Sequence, residues 1–574
     1  MHIAKAIQSG CDTLHTEETR GIASVGPLID CSRGAVMTVS AVCRYIDSIA
    51  AMGMNLLILY TEVTFTVPEY PYFGYLQGRY TPTELRRIDD YAASMGVEFV
   101  PNIQTLAHLG QFLQWRQSEH LKDTQYCLLI DDEETYKFIE AEIRAIRACV
   151  RTRRLHIGMD EAHGVGLGNY YDKHGPVDRF DMLLRHLVRV VGICEKYDFH
   201  PMMWSDMFFR LGSNTGDYYD PNAVIPQSVV DGIPDVDLVY WDYHSTDEGF
   251  LNKMIAQHRR MCGDAVFAGA IHAHNGFLPQ VDRTLASTVP ALRAASACGI
   301  QTAIPTLWGD DGNETDYFLA IPLLPLYSEA CWRDAEFNEE RTLPRSPGSP
   351  TNPQIWRGGS TDSRDLLPRT GVDGALEQGC FISGLPREAL DAFALFHAGA
   401  DDDRTSKGLI YCDLLYPLLP GDPNLSAKAE NCEKALALLS EHQDLPQCRY
   451  ARALFDIALL KARLIPAIRS AYKSGDKAAL RKIAEDDIPR LTELYAVLQT
   501  EHRAQWEKSY KRNGWETFAL RYGATVGRAQ DVAYALTRYA NGELDTLAEL
   551  DEEPLEASRR GGMQWYCIYS SPRL

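Results

Sequence analysis

The sequence predicts a (β/α)8 barrel followed by an α-helical C-terminal domain. Short apolar runs alternate with helical segments eight times in roughly 300 residues, which is the count and length of such a barrel. Polar or aromatic residues close nearly every apolar run, and barrels build their sites from these carboxyl ends of strands. Beyond about residue 385 the helical period continues without strand alternation.

The predicted strands are short apolar runs bounded by turn or helix signals. In chain order they cover residues 27–30, 55–60, 97–103, 155–159, 202–206, 238–243, 265–270 and 301–307. Helical spacing is clearest at 39–52, 132–151, 178–197 and 285–298, and a further helix starts at Thr81-Pro82-Thr83-Glu84, which has capping-box spacing. A doubly wound open sheet is the alternative, but no GxGxxG follows the first strand.

Four regions follow from these patterns. Residues 1–25 are a lead-in with little pattern, and residues 26–338 form the predicted barrel. Residues 339–384 are a predicted linker, because proline, glycine and serine are frequent from 341 to 371. Residues 385–574 form the predicted helical domain, with helices at 427–441, 449–472, 476–499, 502–512 and 517–539.

Charge and composition indicate which classes of partner the protein can have and in which compartment it works. The net charge of −21 argues against nucleic acid or an anionic membrane as the main partner. The first residues lack a signal peptide, and no run is long enough to span a membrane. The 14 cysteines are scattered without metal-binding spacing, as expected for a reduced, cytoplasmic protein.

The stretch from His156 to Glu161 carries the strongest chemical signal. It places two adjacent carboxylates, Asp160 and Glu161, at the end of a predicted buried strand. Adjacent carboxylates are costly to desolvate, and each shifts the other's pKa, so one can hold a proton while the other stays charged. That division suits acid catalysis at a glycosidic bond. The structural alternative is a helix N-cap.

These six residues, His-Ile-Gly-Met-Asp-Glu, resemble the His-x-Gly-x-Asp-Glu signature of glycoside hydrolase family 20, the β-N-acetylhexosaminidases. The barrel followed by helices is similar to a bacterial subgroup that lacks the usual long N-terminal domain. The resemblance implies a retaining, substrate-assisted mechanism that needs no cofactor. In it Glu161 is the acid and then the base, while Asp160 orients the substrate's 2-acetamido group and stabilises the charged intermediate.

Other strand ends supply residues suited to a sugar, because aromatic rings pack on its apolar face and charged groups bind its hydroxyls. They are Arg33, Glu62, His108, Trp204, Asp206, Tyr240, Asp242, Tyr243, Trp308, Asp310 and Asp311. Each also has a purely structural explanation, such as a barrel cap or a local ion pair. Tyr240 and Asp242 alternate on one strand, so we expect them to share its inner face.

The resemblance assigns roles to eight of these residues. Arg33 would bind sugar hydroxyls, and His108 corresponds to a histidine after the third strand. Trp204 would form a pocket wall, and Trp308 with Asp310 would close the pocket. Tyr240 and Asp242 would position the acetamido group and a distal hydroxyl, and Tyr240 or Tyr243 would hydrogen-bond the acetamido oxygen.

Two features depart from the family pattern. His272-Ala273-His274 stands where tryptophans are expected, and Asp310 stands where many members have glutamate. The histidine pair also raises a second hypothesis, a metal-dependent barrel hydrolase, because histidines two apart on a strand face the same way. A third hypothesis is a non-catalytic sugar-binding barrel.

The sequence therefore predicts an exo-β-N-acetylhexosaminidase with no metal. Its partner would be a small glycan or glycoconjugate with a terminal N-acetylhexosamine. The choice between GlcNAc and GalNAc, the linkage, the aglycone and a homodimer are left open.

Overall fold

A computed structural model of the chain describes residues 20–331, 372–398, 405–419, 424–553, 555 and 565. Its centre is a closed barrel of eight parallel strands, β1 to β8, which confirms the predicted barrel. The strands are β1 (two segments, Ser24–Val25 and Leu28–Asp30), β2 Leu56–Glu62, β3 Glu98–Ile103, β4 Arg154–His156, β5 His200–Trp204, β6 Asp237–Trp241, β7 Val266–Ala270 and β8 Thr302–Leu307. Each strand pairs with the next, and β8 pairs with both β7 and β1, which closes the ring.

Helices surround the barrel in the order that the sequence pattern indicates. They are Val39–Ala51, Pro82–Ser94, Gly110–Leu113, Glu133–Arg147, Asn169–His174, Arg179–Lys196, Asp206–Gly212, Gln227–Gly232, Glu248–Cys262, Val281–Ala297 and Pro325–Ala330, with 3-10 turns at Arg116–Leu121 and Tyr317–Leu323. The predicted capping box is present at Thr81, whose side chain accepts from the Glu84 amide while Glu84 accepts from the Thr81 amide.

The strands separate two apolar layers because successive side chains point to opposite faces. Leu56, Ile58 and Tyr60 of β2 point into the barrel, where Trp204 and Trp308 cap the interior. Leu57 and Leu59 point outward and pack under the helices. The barrel interior is thus filled with side chains, which leaves the loops at its carboxyl end to form a site.

The C-terminal region is helical, as predicted. Its helices are Val372–Ser383, Arg387–His397, Thr405–Tyr411, Leu425–Leu438, Pro446–Ser474, Lys477–Lys482, Ile488–Ser509, Trp515–Asn541 and Ala548–Asp551, with a π-helical turn at Ile483–Asp487. The break predicted near residue 500 is wrong, because Ile488–Ser509 runs through it.

The predicted linker is only partly described. Residues 339–371 lie outside the described residues, as do 1–19 of the predicted lead-in. Residues at the end of the linker form the helix Val372–Ser383, so helical structure begins earlier than predicted. This helix buries Val372, Ala375, Leu376, Gly379 and Cys380, which have the helical spacing of one face.

The helical domain packs against the carboxyl end of the barrel. Tyr510 forms an antiparallel bridge with Met37 in the loop after β1. Its hydroxyl accepts from the Tyr317 amide, 3.0 Å away, in the segment after β8. Two barrel loops are therefore held by the same turn of the helical domain. Within the part of the chain that the structure describes, no helix has the length and apolar character needed to cross a bilayer.

Candidate active site

The chain makes a sharp turn at the end of β4. The strand ends at His156, three residues earlier than predicted. The carbonyls of Ile157 and Gly158 still accept backbone hydrogen bonds from Thr105 and Trp204. Gly158, Met159 and Glu161 have φ values of 72°, 72° and 50°. A Cβ at Gly158 would lie 2.1 Å from the Gln104 Oε1, so only glycine fits there. This turn brings Asp160 and Glu161 to the mouth of the barrel.

Asp160 is nearly buried and firmly held. Its Oδ1 accepts a hydrogen bond of 2.6 Å from Gln104 Nε2, and its Oδ2 lies 3.2 Å from His108 Nε2. Burial alone would raise the pKa of Asp160, but the charge of His108 and the hydrogen bonds from His108 and Gln104 outweigh it and lower that pKa. Asp160 is therefore a carboxylate at neutral pH.

His108 is the matching cation. Its Nδ1 lies 3.8 Å from the carboxylate of Glu62, and its Nε2 faces Asp160. Burial disfavours the charged ring, yet the negative charges of Asp160 and Glu62 dominate and raise the pKa of His108 to about 9. The imidazolium thus stays protonated at neutral pH and stabilises the Asp160 carboxylate.

Glu161 has a different environment from its neighbour. Its side chain is 39% exposed, against 12% for Asp160. Burial raises the pKa of Glu161, and the charge of Asp160 raises it further, while the charge of His108 and a hydrogen bond from Tyr218 work against both. One acid of the pair is therefore held ionised and the other keeps its proton to higher pH.

The helix N-cap alternative does not describe this pair. The next helix, Asn169–His174, has Gly168 as its N-cap. The amide of Glu161 instead donates to Asp206 Oδ2 over 3.0 Å. Burial and the charge of Asp160 raise the pKa of Asp206, so this acid behind the turn keeps its proton to higher pH than a free aspartic acid does.

Arg33 and Asp310 form a second group at the mouth. Arg33 lies 3.2 Å from both Asp30 and Glu62 and 3.7 Å from Asp310. Its guanidinium lies over the rings of Tyr60 and Trp308, at 5.2 and 5.5 Å from their centroids. The loop after β8 is fixed by the Gly309 amide, which donates to Asp30 Oδ2 over 3.0 Å.

Aromatic rings line the floor of this region. The Trp204 ring lies 6.0 Å from the Trp308 ring and 4.4 Å from the His156 ring. Tyr243 packs against the barrel interior with its ring stacked on Trp241 at 5.0 Å, close to Trp308 and the charge of Asp160. The structure thus brings together Arg33, His108, Asp160, Glu161, Trp204, Tyr243, Trp308 and Asp310.

The predicted placement of Tyr240 and Asp242 on the inner face of the barrel is wrong. Tyr240 is fully buried in the outer layer and stacks on His258 at 4.8 Å. Its hydroxyl donates to Asp242 Oδ2 over 2.9 Å, and Asp242 Oδ1 accepts the amides of the following turn. On β6 it is Val239 and Trp241 that point inward, so positions 240 and 242 point outward.

Several site residues were absent from the predicted set or had no assigned role. Gln104, at the end of β3, bridges Asp160, the Tyr60 hydroxyl and the Met159 amide. Gln104 directly follows a strand, and this position could have identified it as a site residue from the sequence. Tyr218 lies in a long loop after β5, where its hydroxyl lies 2.7 Å from His163 Nε2. No pattern in the sequence marks it.

The histidine pair after β7 is tightly packed. The rings of His272 and His274 lie 5.5 Å apart, and His272 Nε2 lies 3.3 Å from the Ser287 hydroxyl. Burial and nearby positive charge lower the pKa of His272 well below its ordinary value. Among the described residues, no group of three or more His, Cys, Asp or Glu side chains is arranged to hold a metal.

Two family models match the chain. Residues 25–225 match the glycosyl hydrolase family 20 catalytic domain, and residues 391–567 match the glycoside hydrolase 20C C-terminal domain. The chain belongs to glycoside hydrolase family 20. The two matches confirm the family predicted from the six-residue signature. The protein is therefore an enzyme, a family 20 hexosaminidase.

Relatives of this family 20 chain include Hexosaminidase D of Homo sapiens, which is 25% identical over 398 residues, or 61% of this chain and 77% of the relative. Hexosaminidase D of Bos taurus is 25% identical over 37% of this chain and 60% of its own length. Among solved structures, a family 20 β-N-acetylhexosaminidase from Streptomyces coelicolor A3(2) is similar at 20% identity with a TM-score of 0.42. That match spans 56% of this chain and 66% of the Streptomyces chain, just under two thirds.

Proposed function

We propose that this family 20 hexosaminidase is exo-acting and removes a terminal β-linked GlcNAc or GalNAc from the non-reducing end of a small glycan or glycoconjugate. One observation carries the proposal. Asp160 is held ionised by His108 and Gln104, while its neighbour Glu161 is more exposed and has a raised pKa. Glycoside hydrolysis needs one acid that donates a proton and one group that stabilises positive charge.

In this proposal Glu161 protonates the oxygen of the leaving group. The oxygen of the substrate's own 2-acetamido group attacks the anomeric carbon, and the glycosidic bond breaks. Glu161, now a carboxylate, then takes a proton from the water that opens the resulting ring. The exposure of Glu161 supports this double role, because both the leaving group and the water must approach from solvent.

Asp160 orients the acetamido group and stabilises the positive charge of the oxazolinium-like intermediate. Its two oxygens already contact Gln104 and His108, so the carboxylate is fixed before substrate arrives. Such preorganised charge costs no rearrangement during the reaction. We propose Tyr243, and no longer Tyr240, as the group that hydrogen-bonds the acetamido oxygen, because Tyr240 lies outside the barrel interior.

The remaining mouth residues would hold the sugar ring. Trp308 would offer an apolar face for the pyranose, supported from the barrel interior by the buried Trp204, and Arg33 with Asp310 would offer charged partners for its hydroxyls. The position of the helical domain is a further argument for exo action, because this domain packs on the loop that carries Arg33. Gly514 lies so close to Gly34 that a Cβ at 514 would be 2.2 Å from the Gly34 carbonyl oxygen. In this proposal the contact limits the room for further sugars beyond the terminal one.

We also propose a cytoplasmic location. The twelve cysteines among the described residues are all free, as in a reducing compartment.

Nitrophenyl β-glycosides of GlcNAc, GalNAc, glucose and galactose test the proposed function. We expect hydrolysis of one or both N-acetylated substrates, with little on glucose or galactose, because only the former carry the acetamido nucleophile. A chelator should leave the rate unchanged. Loss of activity on chelation would favour the metal-dependent alternative that His272 and His274 suggested. Binding of GlcNAc without hydrolysis of any substrate would favour the sugar-binding alternative.

The pH dependence of kcat/KM should report the pKa of Glu161. Its proton is needed for catalysis, so activity falls as pH rises through that pKa. Tyr218 stabilises the charged form and lowers the pKa. Tyr218→Phe should therefore raise the pKa of Glu161 and move the basic limb of the profile to higher pH. Full pH profiles of both proteins measure the shift, and an unchanged or lower basic limb would contradict this role of Tyr218.

A further inference from the structure

The loop after β8, which carries Trp308 and Asp310, has an unusual backbone. Asp311, Gly312 and Asn313 have consecutive positive φ values of 55°, 99° and 57°. The amides of Gly312 and Asn313 both donate to the Gly309 carbonyl, at 3.0 and 2.8 Å. The left-handed region is unfavourable for residues other than glycine, so such a turn persists only where surrounding contacts hold it.

Two cations of the helical domain provide these contacts. Lys407 Nζ lies 2.7 Å from Asp311 Oδ2 and 2.9 Å from the Glu314 carboxylate. Arg521 donates to the Asp311 carbonyl over 2.7 Å and lies 3.2 Å from the Asp311 carboxylate. Arg521 also pairs with Glu314. The loop is therefore held through a side chain and through its backbone.

This cluster of Asp311, Glu314, Lys407 and Arg521 is withdrawn from water. The side chains of Lys407 and Glu314 are 1% and 0% exposed. The two acids come from the barrel chain and the two cations from the helices Thr405–Tyr411 and Trp515–Asn541. A buried acid without its cation is unfavourable, so the four groups depend on one another.

We propose that Lys407 and Arg521 position Asp310, and that the helical domain thereby sets how tightly the enzyme recognises the terminal sugar. The proposal rests on the proposed function, in which Asp310 binds a sugar hydroxyl. Lys407 and Arg521 are positioning residues, since they act through the loop and not on the substrate. A cluster that merely fastened the two domains together would stabilise the protein without any link to Asp310.

Lys407→Met tests the proposal, because methionine keeps much of the side-chain length and removes the charge. We expect kcat/KM for nitrophenyl N-acetylhexosaminides to fall about ten- to hundredfold, as a small displacement of a binding group does. The matched control is Lys511→Gln. Lys511 also links the helical domain to the barrel, through Glu84 at 2.8 Å, but holds the start of the helix Pro82–Ser94 instead. Its kcat/KM should change less than about threefold.

A double-mutant cycle with Asp310→Asn separates positioning from fastening. If Lys407 acts through Asp310, the Lys407→Met effect on kcat/KM should shrink to less than about threefold in the Asp310→Asn background. Effects of the two changes that simply multiply would overturn the proposal, and so would an unchanged kcat/KM for Lys407→Met alone.

Hydrogen exchange gives a readout that does not depend on activity. Amides of residues 308–317 should exchange faster in Lys407→Met than in the parent or in Lys511→Gln. Equal protection in all three would overturn the proposal. If Lys407→Met does not fold, the same measurements of kcat/KM and hydrogen exchange are made on Arg521→Lys. This variant keeps the charge but loses the forked contact of the guanidinium. Failure of the proposed function would appear separately, as a parent enzyme that hydrolyses no N-acetylhexosaminide.

Discussion

Glu161→Gln is expected to lower kcat on an N-acetylhexosaminide disaccharide about 10²- to 10⁴-fold. Glutamine has almost the same shape but cannot donate a proton to the leaving oxygen. The variant also keeps the backbone amide of residue 161, which donates to Asp206, so the turn after β4 should persist. Circular dichroism and thermal unfolding of parent and variant check that the fold is retained.

The leaving group distinguishes an acid from a residue that only shapes the site. Dinitrophenolate is a stable anion and leaves without protonation. Cleavage of a dinitrophenyl glycoside should therefore suffer much less from Glu161→Gln than cleavage of the disaccharide. The comparison requires kcat for both substrates with both proteins. An equal loss on the two substrates would show that Glu161 is not the proton donor.

Asp160→Asn is expected to lower kcat on nitrophenyl GlcNAc about 10²- to 10³-fold. The neutral amide cannot stabilise the positive charge of the ring intermediate. The change also acts on His108, because the charge of Asp160 helps to raise the pKa of that ring to about 9. Without it the pKa of His108 should fall, and nuclear magnetic resonance titration of the imidazole would show this.

The two readouts for Asp160 have different meanings. A lower kcat together with a lower pKa of His108 would support the ion pair and its part in catalysis. An unchanged kcat would remove Asp160 from the mechanism, whatever the pKa of His108 does. Asp242→Asn is a matched control, since that carboxylate accepts hydrogen bonds from the Tyr240 hydroxyl and the His244 amide and is not part of the Asp160–His108 ion pair. We expect it to keep kcat within about threefold of the parent.

The sequence pattern predicted the barrel because each strand is a short apolar run that ends in polar residues. The same rule located Arg33, His108, Trp204 and Trp308, since the carboxyl ends of parallel strands meet at one end of a barrel. It did not determine the orientation of β6. Alternation shows which residues share a face, but Leu238, Val239, Tyr240 and Trp241 are apolar or aromatic on both faces.

Contacts between distant segments were not predictable in the same way. Lys407 and Arg521 lie on helices, where charged side chains usually face solvent. Their partners Asp311 and Glu314 are about a hundred to two hundred residues away in sequence, and no local spacing links such groups. Tyr218 illustrates the same limit, because it reaches the site from a loop without periodic structure.

In the proposed mechanism the nucleophile is the substrate's own acetamido group. The affinity of a stable thiazoline mimic of the ring intermediate tests this mechanism most directly. Intermediate analogues bind far more tightly than products, and here the carboxylate that meets the ring is already fixed by Gln104 and His108. Calorimetry should find the mimic bound much more tightly than GlcNAc by the parent, and Asp160→Asn should weaken the mimic more than GlcNAc. A mimic that binds the parent no better than GlcNAc would contradict the substrate-assisted mechanism.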